Sequence, residues 1–108
     1  MNSSFPKTAV VRVSKGNFDP DVLRDVAQMT VDTSTYLLPA ITKLAGLLAY
    51  YAGVSPDGSM VHVSVWDSEE HANQMGSLPE MITRARSDLV AAGVTFTPII
   101  NYPISWQA

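Results

Sequence analysis

The chain has 108 residues, no cysteine, a net charge of −3, 46% hydrophobic residues and 16% charged residues. This length fits one domain, since domains typically contain about 100–150 residues, so we assign residues 1–108 to a single domain and residues 1–7 to a flexible N-terminal tail. The lack of cysteine excludes disulfides, thiolate metal ligands and thiol nucleophiles. The mildly acidic charge offers no basic surface for nucleic acid. Charged residues are also scarce compared with roughly 25% in ordinary soluble domains, which is a first indication of oligomerisation.

The sequence also gives no sign of a membrane partner. No apolar run approaches the roughly 18 residues needed to span a bilayer. The first residues lack the positive segment and apolar run of a signal peptide. We therefore expect a cytoplasmic protein.

The first part of the chain predicts a strand followed by helical structure. Residues 8–14 form a β-branched run that ends in turn-forming residues, which is typical of a strand. Asp19 and Pro20 then supply an N-cap and a first helical residue, and apolar residues recur at helical spacing. Because a β-branched stretch and Pro39 interrupt this pattern, we expect two helical pieces, near residues 19–31 and 34–44.

The middle of the chain predicts a β-hairpin. Residues 46–54 and 60–66 have strand composition, and the Ser-Pro-Asp-Gly sequence at 55–58 is typical of a turn. Along the second strand, successive side chains point to opposite faces of the sheet, so the valines share one face. The other face carries Met60, His62, Ser64 and Trp66.

The last part of the chain predicts a second helix and a final strand. Asp67 begins an Asp-Ser-Glu-Glu sequence that indicates a capping box with Asp67 as the N-cap. The helix is interrupted at residues 76–79 and ends at Gly93. Residues 95–102 predict the last strand, in which Pro98 favours an edge position or a bulge.

The element order β-α-β-β-α-β predicts a ferredoxin-like α+β fold, an antiparallel sheet with both helices on one face. The first and third strands of this topology are central. The face without helices would be exposed in a monomer, although its residues are apolar. We therefore predict a homodimer formed through the helix-free face of the sheet.

Residues 60–73 carry a resemblance to a known family. Their sequence, Met-Val-His-Val-Ser-Val-Trp-Asp-Ser-Glu-Glu-His-Ala-Asn, resembles the third strand and second-helix start of antibiotic biosynthesis monooxygenase-like proteins. The preceding Gly46-Leu47 and Asp57-Gly58 pairs are similar to the family's strand and turn. The resemblance extends over residues 8–102 and implies a dimeric α+β barrel. The superfamily includes quinone-forming monooxygenases, haem-degrading enzymes, isomerases and cyclases.

The residues of the haem-degrading branch are absent from this chain. Members of that branch resemble one another in an asparagine, a tryptophan and a histidine. The corresponding positions of this chain lie near Ala9 or Val10, near Met75 and near Ala85. His62 and His71 do not match a metal motif either. We therefore predict neither haem degradation nor a metal site, and no cofactor.

Two polar residues in the central strands are candidates for catalysis. Arg12 lies between two valines of the first strand, and His62 lies between two valines of the third. An unpaired buried charge costs several kcal/mol, so Arg12 must reach a partner, solvent or a wet cavity. With an ordinary pKa of about 6.5, His62 suits proton transfer. A structural role for both remains open: a satisfied core histidine, and an arginine in solvent or in an ion pair.

Four further residues are candidates for binding a substrate. Tyr50 and its neighbour Tyr51 point to opposite faces of one strand, so only one of them can line a cavity beneath the helices, and a one-residue error would exchange them. A tyrosine hydroxyl can bind a phenol or a carbonyl. The binding candidates are Tyr50, Tyr36, Trp66 and Asn101.

These residues support three hypotheses for function. In the first, the protein resembles cofactor-independent monooxygenases and acts on an aromatic or polyketide-like substrate, with His62 as the base, Arg12 as the anion stabiliser and Tyr50 or Tyr36 as the orienting hydroxyl. In the second, the same pocket performs an isomerase or cyclase step. In the third, the protein is a non-catalytic ligand-binding or structural dimer.

Overall fold

The computed structural model describes residues 5–108. Residues 1–4, which make up most of the predicted N-terminal tail, lie outside the described residues. At the start of the described part, the Phe5 amide donates a hydrogen bond to Oε1 of Gln107, 3.2 Å away. None of the helices in residues 5–108 has the length and apolar character needed to cross a membrane.

Five strands form one antiparallel sheet. They are β1 (Val10–Asn17), β2 (Leu47–Ser55), β3 (Ser59–Trp66), β4 (Thr95–Phe96) and β5 (Ile100–Pro103). Their order is β2-β3-β1-β4, and β5 also pairs with β1. The first and third strands are therefore central, as predicted.

The helical segments comprise a 3₁₀ turn, three α-helices, a second 3₁₀ segment and a π-helix. In chain order they are Pro20–Val22 (3₁₀), α1 (Leu23–Ile41), α2 (Glu69–Ala72), Asn73–Ser77 (3₁₀), Glu80–Ala85 (π) and α3 (Arg86–Ala92). Together with the sheet, these segments confirm the predicted ferredoxin-like α+β fold.

The prediction of two helical pieces between residues 19 and 44 is wrong, because α1 is continuous. Asp19 is the N-cap as predicted, and its side chain accepts a hydrogen bond from the Asp21 amide at 2.9 Å. Hydroxyl groups in the β-branched stretch donate to carbonyls one turn earlier, for example Thr30 to Val26 at 2.8 Å, so these residues are accommodated inside the helix. Pro39 lies in the last turn of α1. Because proline has no amide hydrogen, one backbone hydrogen bond is missing there, but so close to the helix end this does not break the helix.

The N-cap of α2 also differs from the prediction. Ser68, not Asp67, accepts the amide hydrogen bond, from His71 at 3.2 Å. Asp67 is instead 2.6 Å from Nδ1 of the same histidine. Its carboxylate is therefore used by a side chain rather than by the backbone.

Two strands end elsewhere than predicted. β1 continues to Asn17 because its last residues pair with the start of β3, with Asn17 opposite Ser59. The last strand is divided into β4 and β5, with Pro98 in the gap between them. Within residues 5–108 both parts pair only with β1, so the edge position, one of the two alternatives predicted from Pro98, is confirmed for the strand residues on either side of it.

Two buried clusters fill the space between the sheet and the helices. The cluster around Trp66 includes Leu37 and Ile41 of α1, and the cluster around Met60 includes Val26 and Leu89. Trp66 is completely buried, and its indole N–H donates to Oγ of Ser64 at 2.8 Å. The side of the sheet that carries Met60 and Trp66 is therefore the helix-covered face.

The pairing register assigns the two adjacent tyrosines to opposite faces. Tyr50 pairs with Ser64, so it lies on the helix-covered face. Tyr51 pairs with Val63 on the other face and is 65% exposed. That second face also carries Val13 and Ile100, in register with Val63, and is the helix-free face of the predicted dimer.

The turn before β2 depends on Gly46. Its φ angle is +81°, and a Cβ atom there would collide with the side chains of Asp67 and His71. We predict that Gly46→Ala lowers the free energy of unfolding by about 2 kcal/mol, because the left-handed backbone is strained by a side chain. Urea denaturation measures this loss.

Gly76→Ala is the matched control for this change. Gly76 has no atom within 4 Å of an added Cβ and does not have a positive φ. Its variant should unfold at a urea concentration close to that of the parent protein. Equal effects of the two substitutions would contradict the role assigned to the Gly46 turn.

Candidate active site

The candidate site lies on the helix-covered face, where β2 and β3 bring Tyr50 and His62 together. The tyrosine hydroxyl is 2.8 Å from Nδ1 of the imidazole, and the two rings meet edge to face with centroids 5.7 Å apart. The direct register partners of these residues are Ser64 and Ala52, so the contact is a diagonal one across neighbouring strands. This geometry fixes the imidazole ring through one of its two nitrogens.

The other nitrogen of His62 has no hydrogen-bond partner within residues 5–108. His62 is 8% exposed, and its Nε2 atom is buried without a hydrogen bond. Burial disfavours the charged form and lowers the pKa of His62 to about 4. The imidazole is therefore neutral at pH 7. If Nδ1 carries the proton and donates it to the tyrosine oxygen, Nε2 presents a lone pair and can act as a base.

Tyr50 itself stays protonated. Burial raises the pKa of its hydroxyl above the ordinary value, and the positive charge of Arg12 opposes this effect in part. The hydroxyl can therefore both donate and accept hydrogen bonds at neutral pH.

Arg12 provides a cation at the same end of the sheet. It pairs with Ser64 across β1 and β3, and its Nη1 atom donates to Oδ1 of Asn101 at 3.4 Å. Asn101 in turn donates to Oδ1 of Asn73 at 3.0 Å. Partial burial lowers the pKa of Arg12, although a guanidinium remains charged at any physiological pH. No carboxylate among residues 5–108 lies within salt-bridge distance of this guanidinium.

Three cavities meet at His62. The largest, of about 210 Å³, lies between α1 and β2 and is lined by Thr33, Leu37 and Ala52; we call it the α1 cavity. A second, of about 70 Å³, reaches His62 from the π-helix and α3; we call it the α3 cavity. A third, of about 30 Å³, touches Arg12 as well as His62. His62 is thus a lining residue of all three spaces, while its Nε2 atom is itself buried.

Two of the candidate residues lie apart from this group. The hydroxyl of Tyr36 donates to Asp88 at 2.8 Å, and the guanidinium of Arg84 lies 3.9 Å from the centre of its ring. Burial and the nearby Asp88 carboxylate raise the pKa of Tyr36 to about 12. Neither Tyr36 nor Trp66 lines the three cavities at His62. Arg12, Tyr50 and His62 therefore form one group, with Asn101 attached through Arg12.

The structure adds residues that the sequence did not single out. Ser14 and Met81 line both the α3 cavity and the cavity beside Arg12, and Asn73 supports Asn101. The position of Ser14 follows from strand alternation with Arg12. The place of Met81 depends on the π-helix, for which the sequence contains no clear signal. No cluster of metal-binding side chains occurs within residues 5–108.

Comparisons with known proteins place the chain by its fold. Neither the family models nor the curated protein sequences contain a match. Among solved structures, SnoaB, a cofactor-independent oxygenase from Streptomyces nogalater, is similar with a TM-score of 0.66 and 13% identity, over 93% of this chain and 96% of that chain. A monooxygenase from the gene ActVA-Orf6 of Streptomyces coelicolor, solved with the ligand nanaomycin D, has a TM-score of 0.69 and 18% identity, over 94% and 93% of the two chains.

A third neighbour is a dimeric ferredoxin-like protein from an uncultured marine organism. Its TM-score is 0.69 at 14% identity, over 94% of this chain and 91% of that chain. At such identities the likeness is one of fold. Other neighbours include putative antibiotic biosynthesis monooxygenases from Deinococcus radiodurans and Caulobacter crescentus, and the chain shares the ferredoxin-like α+β fold of these structures.

Proposed function

We propose that the protein is a cofactor-independent monooxygenase that deprotonates a phenolic or polycyclic aromatic substrate and lets the resulting anion react with dioxygen. One observation carries this proposal: His62 lines three cavities, and its buried Nε2 atom has no hydrogen-bond partner among residues 5–108. The similarity to SnoaB, described as a cofactor-independent oxygenase, supports the class of reaction. Nanaomycin D in the ActVA-Orf6 structure supports an aromatic ligand.

His62 acts as the general base in this proposal. In the tautomer that the proposal requires, Nδ1 carries the proton and donates it to the Tyr50 oxygen 2.8 Å away, so that Nε2 has a free lone pair. Because the pKa of His62 is lowered to about 4, nearly all molecules carry this neutral base at pH 7. The base is available but weak.

The weakness of the base makes the cation at Arg12 necessary. Moving a proton from a phenol-like group with a pKa of about 10 to a base with a pKa of about 4 costs about 8 kcal/mol. A unit positive charge 4 Å from the new anion stabilises that anion by about 4 kcal/mol at an effective dielectric constant of about 20. The imidazolium that forms is one such charge. The Arg12 guanidinium, which lines the cavity of about 30 Å³ together with His62, is the second charge that the proposal requires near the anion.

Dioxygen completes the reaction without a protein-bound redox group. The carbanion or enolate form of a ring CH₂ group gives up electrons to O₂. One oxygen atom becomes the quinone carbonyl, and the other leaves as water with two hydrogens from the substrate. The protein supplies the base, the anion stabiliser and a dry pocket.

Replacement of His62 tests the proposed base. With anthrone as the probe substrate, we predict that His62→Gln lowers kcat for oxygen uptake about 100-fold or more, as expected on loss of a general base. An oxygen electrode measures the rate. His71→Gln is the matched control, since His71 pairs with Asp67 outside the cavities and its variant should keep the parent rate. An unchanged rate in His62→Gln would refute the assignment.

The same measurement separates the alternative reactions. An isomerase or cyclase step would convert the probe without oxygen uptake, but would still depend on His62. A ligand-binding protein would quench or shift the fluorescence of the bound probe with no turnover in either variant. Turnover with oxygen uptake supports the monooxygenase proposal.

The buried neutral histidine also predicts a pH dependence of stability. The pKa of His62 is about 4 when folded and about 6.5 when unfolded, so below pH 6.5 the unfolded chain binds a proton that the folded protein refuses. The contribution of the neutral His62 to the free energy of unfolding is therefore fully present above pH 6.5 and is lost as the pH decreases towards 4. Between pH 7 and pH 5 we predict that the parent loses about 2 kcal/mol more than His62→Gln.

Urea unfolding of both proteins at the two pH values measures this difference. All other titrating groups are common to the two proteins, so their contributions cancel. Equal losses would show that His62 is not held neutral in the folded protein.

We also propose that the protein is a homodimer that joins two helix-free faces. This face carries an apolar surface with exposed aromatic residues, Tyr51 and Tyr102, beside half-buried valines. Covering such a surface by a second copy removes apolar area from water. The dimeric ferredoxin-like neighbour supports this assembly.

A charge on the helix-free face tests the dimer. We predict that Tyr51→Glu shifts the protein from dimer to monomer in sedimentation analysis, because an interface must not bury an unpaired carboxylate. Val31→Glu is the control, since Val31 is 62% exposed on α1 and its variant should stay dimeric. A dimeric Tyr51→Glu protein would place the interface elsewhere.

A further inference from the structure

His62 separates two cavities that differ in size and chemistry. His62 belongs to β3, a central strand; the α1 cavity lies on the side of β2, and the α3 cavity on the side of β1 and β4. The register partners of His62 in these directions are Ala52 and Ser14. Because both side chains are small, open space reaches the imidazole from both sides.

The volume of the α3 cavity suits a very small ligand. Its volume is about 70 Å³, about a third of the volume of the α1 cavity, which is about 210 Å³. A water molecule takes up about 30 Å³ in the liquid, so there is room for a diatomic molecule. The α1 cavity, at about 210 Å³ and open beside exposed Ala52, is the larger space for an aromatic ring system.

The lining of the α3 cavity favours an apolar ligand. Met81, Leu89 and Phe96 contribute hydrocarbon or thioether surface. Arg86, the one charged residue of the lining, has its guanidinium 5.0 Å from the centre of the Phe96 ring, a cation–π contact. The polar residues of the lining are Ser14, His62 and Arg86, and the other five are apolar. Predominantly apolar cavities bind gases such as xenon.

Building on the proposed oxygenase function, we propose that the α3 cavity binds dioxygen next to His62 while the aromatic substrate occupies the α1 cavity. Ile82 and Ile99 form its outer rim, with exposed fractions of 45% and 41%. Dioxygen enters there, and the aromatic substrate enters beside Ala52. The two reactants thus meet at the third cavity, beside Arg12, which shares Tyr50 with the α1 cavity and Ser14 with the α3 cavity.

Xenon is the probe for the gas site. In crystals of the whole protein pressurised with xenon, we expect a xenon peak among Met81, Leu89 and Phe96. An ordered water in that place, or xenon only in the α1 cavity, would overturn the proposal. This readout requires no substrate and no activity.

Steady-state kinetics with anthrone and dioxygen as the varied reactants test the separation of the two spaces. Ile82→Trp fills the α3 cavity from its rim, so we expect KM for dioxygen to rise about tenfold while KM for anthrone stays within about twofold. Ala52→Leu narrows the α1 cavity and should have the opposite pattern. Both positions are exposed, and Ile99→Trp is a second filling variant if Ile82→Trp folds poorly.

The outcomes distinguish this proposal from the proposed function. A rise in KM for anthrone in Ile82→Trp, with KM for dioxygen unchanged, would make the α3 cavity part of the organic site and overturn the dioxygen assignment. If neither the parent protein nor any variant consumed oxygen, the proposed oxygenase function would be refuted. The xenon experiment alone would then decide whether the α3 cavity is a gas site.

Discussion

The hydrogen bond between Tyr50 and His62 is the contact on which the rest of the site depends. It requires that β2 and β3 pair in one register, because a slip of one residue would replace the two side chains by Tyr51 and a valine. The turn at Gly58, with a φ angle of +104°, joins the two strands. The burial of Trp66 at the far end of β3 fixes the same register. Turn chemistry and core packing thus place a polar pair within an apolar layer.

The space around His62 results from small residues rather than from polar ones. Its two register partners are Ala52 and Ser14, while the neighbouring rows carry larger side chains such as Tyr50 and Met60. Larger side chains at positions 52 and 14 would fill the cavities, and His62 would then have only a structural role. The same smallness leaves Nε2 without a partner. A buried polar group in this state has a cost to stability, so its presence fits a functional role.

The sequence was sufficient to predict the sheet and its central strands, and it singled out three residues that the structure brings together in the candidate site, Arg12, Tyr50 and His62. Strand alternation around Arg12 and His62 is strong, because each stands between valines. The continuity of α1 was missed, since the effect of Pro39 depends on its distance from the helix end, and that end is determined by packing. The π-helix with Met81 was missed because its hydrogen-bond pattern arises only in the folded chain. The partner of Tyr36, Asp88, is 52 residues away, and local spacing cannot reveal such a contact.

The low proportion of charged residues has a structural explanation in the two faces of the sheet. Successive side chains of β1 and β3 alternate between the helix-covered face and the helix-free face, so Arg12 and His62 point inward while Val13 and Val63 point outward. In the proposed dimer both faces require apolar residues, which leaves few strand positions for charge. The alternation also separates the proposed base from the proposed dimer surface: a substitution at Tyr51 changes the outer surface and leaves the Tyr50 contact on the opposite face. Loss of the dimer and loss of the base can therefore be measured independently in the same chain.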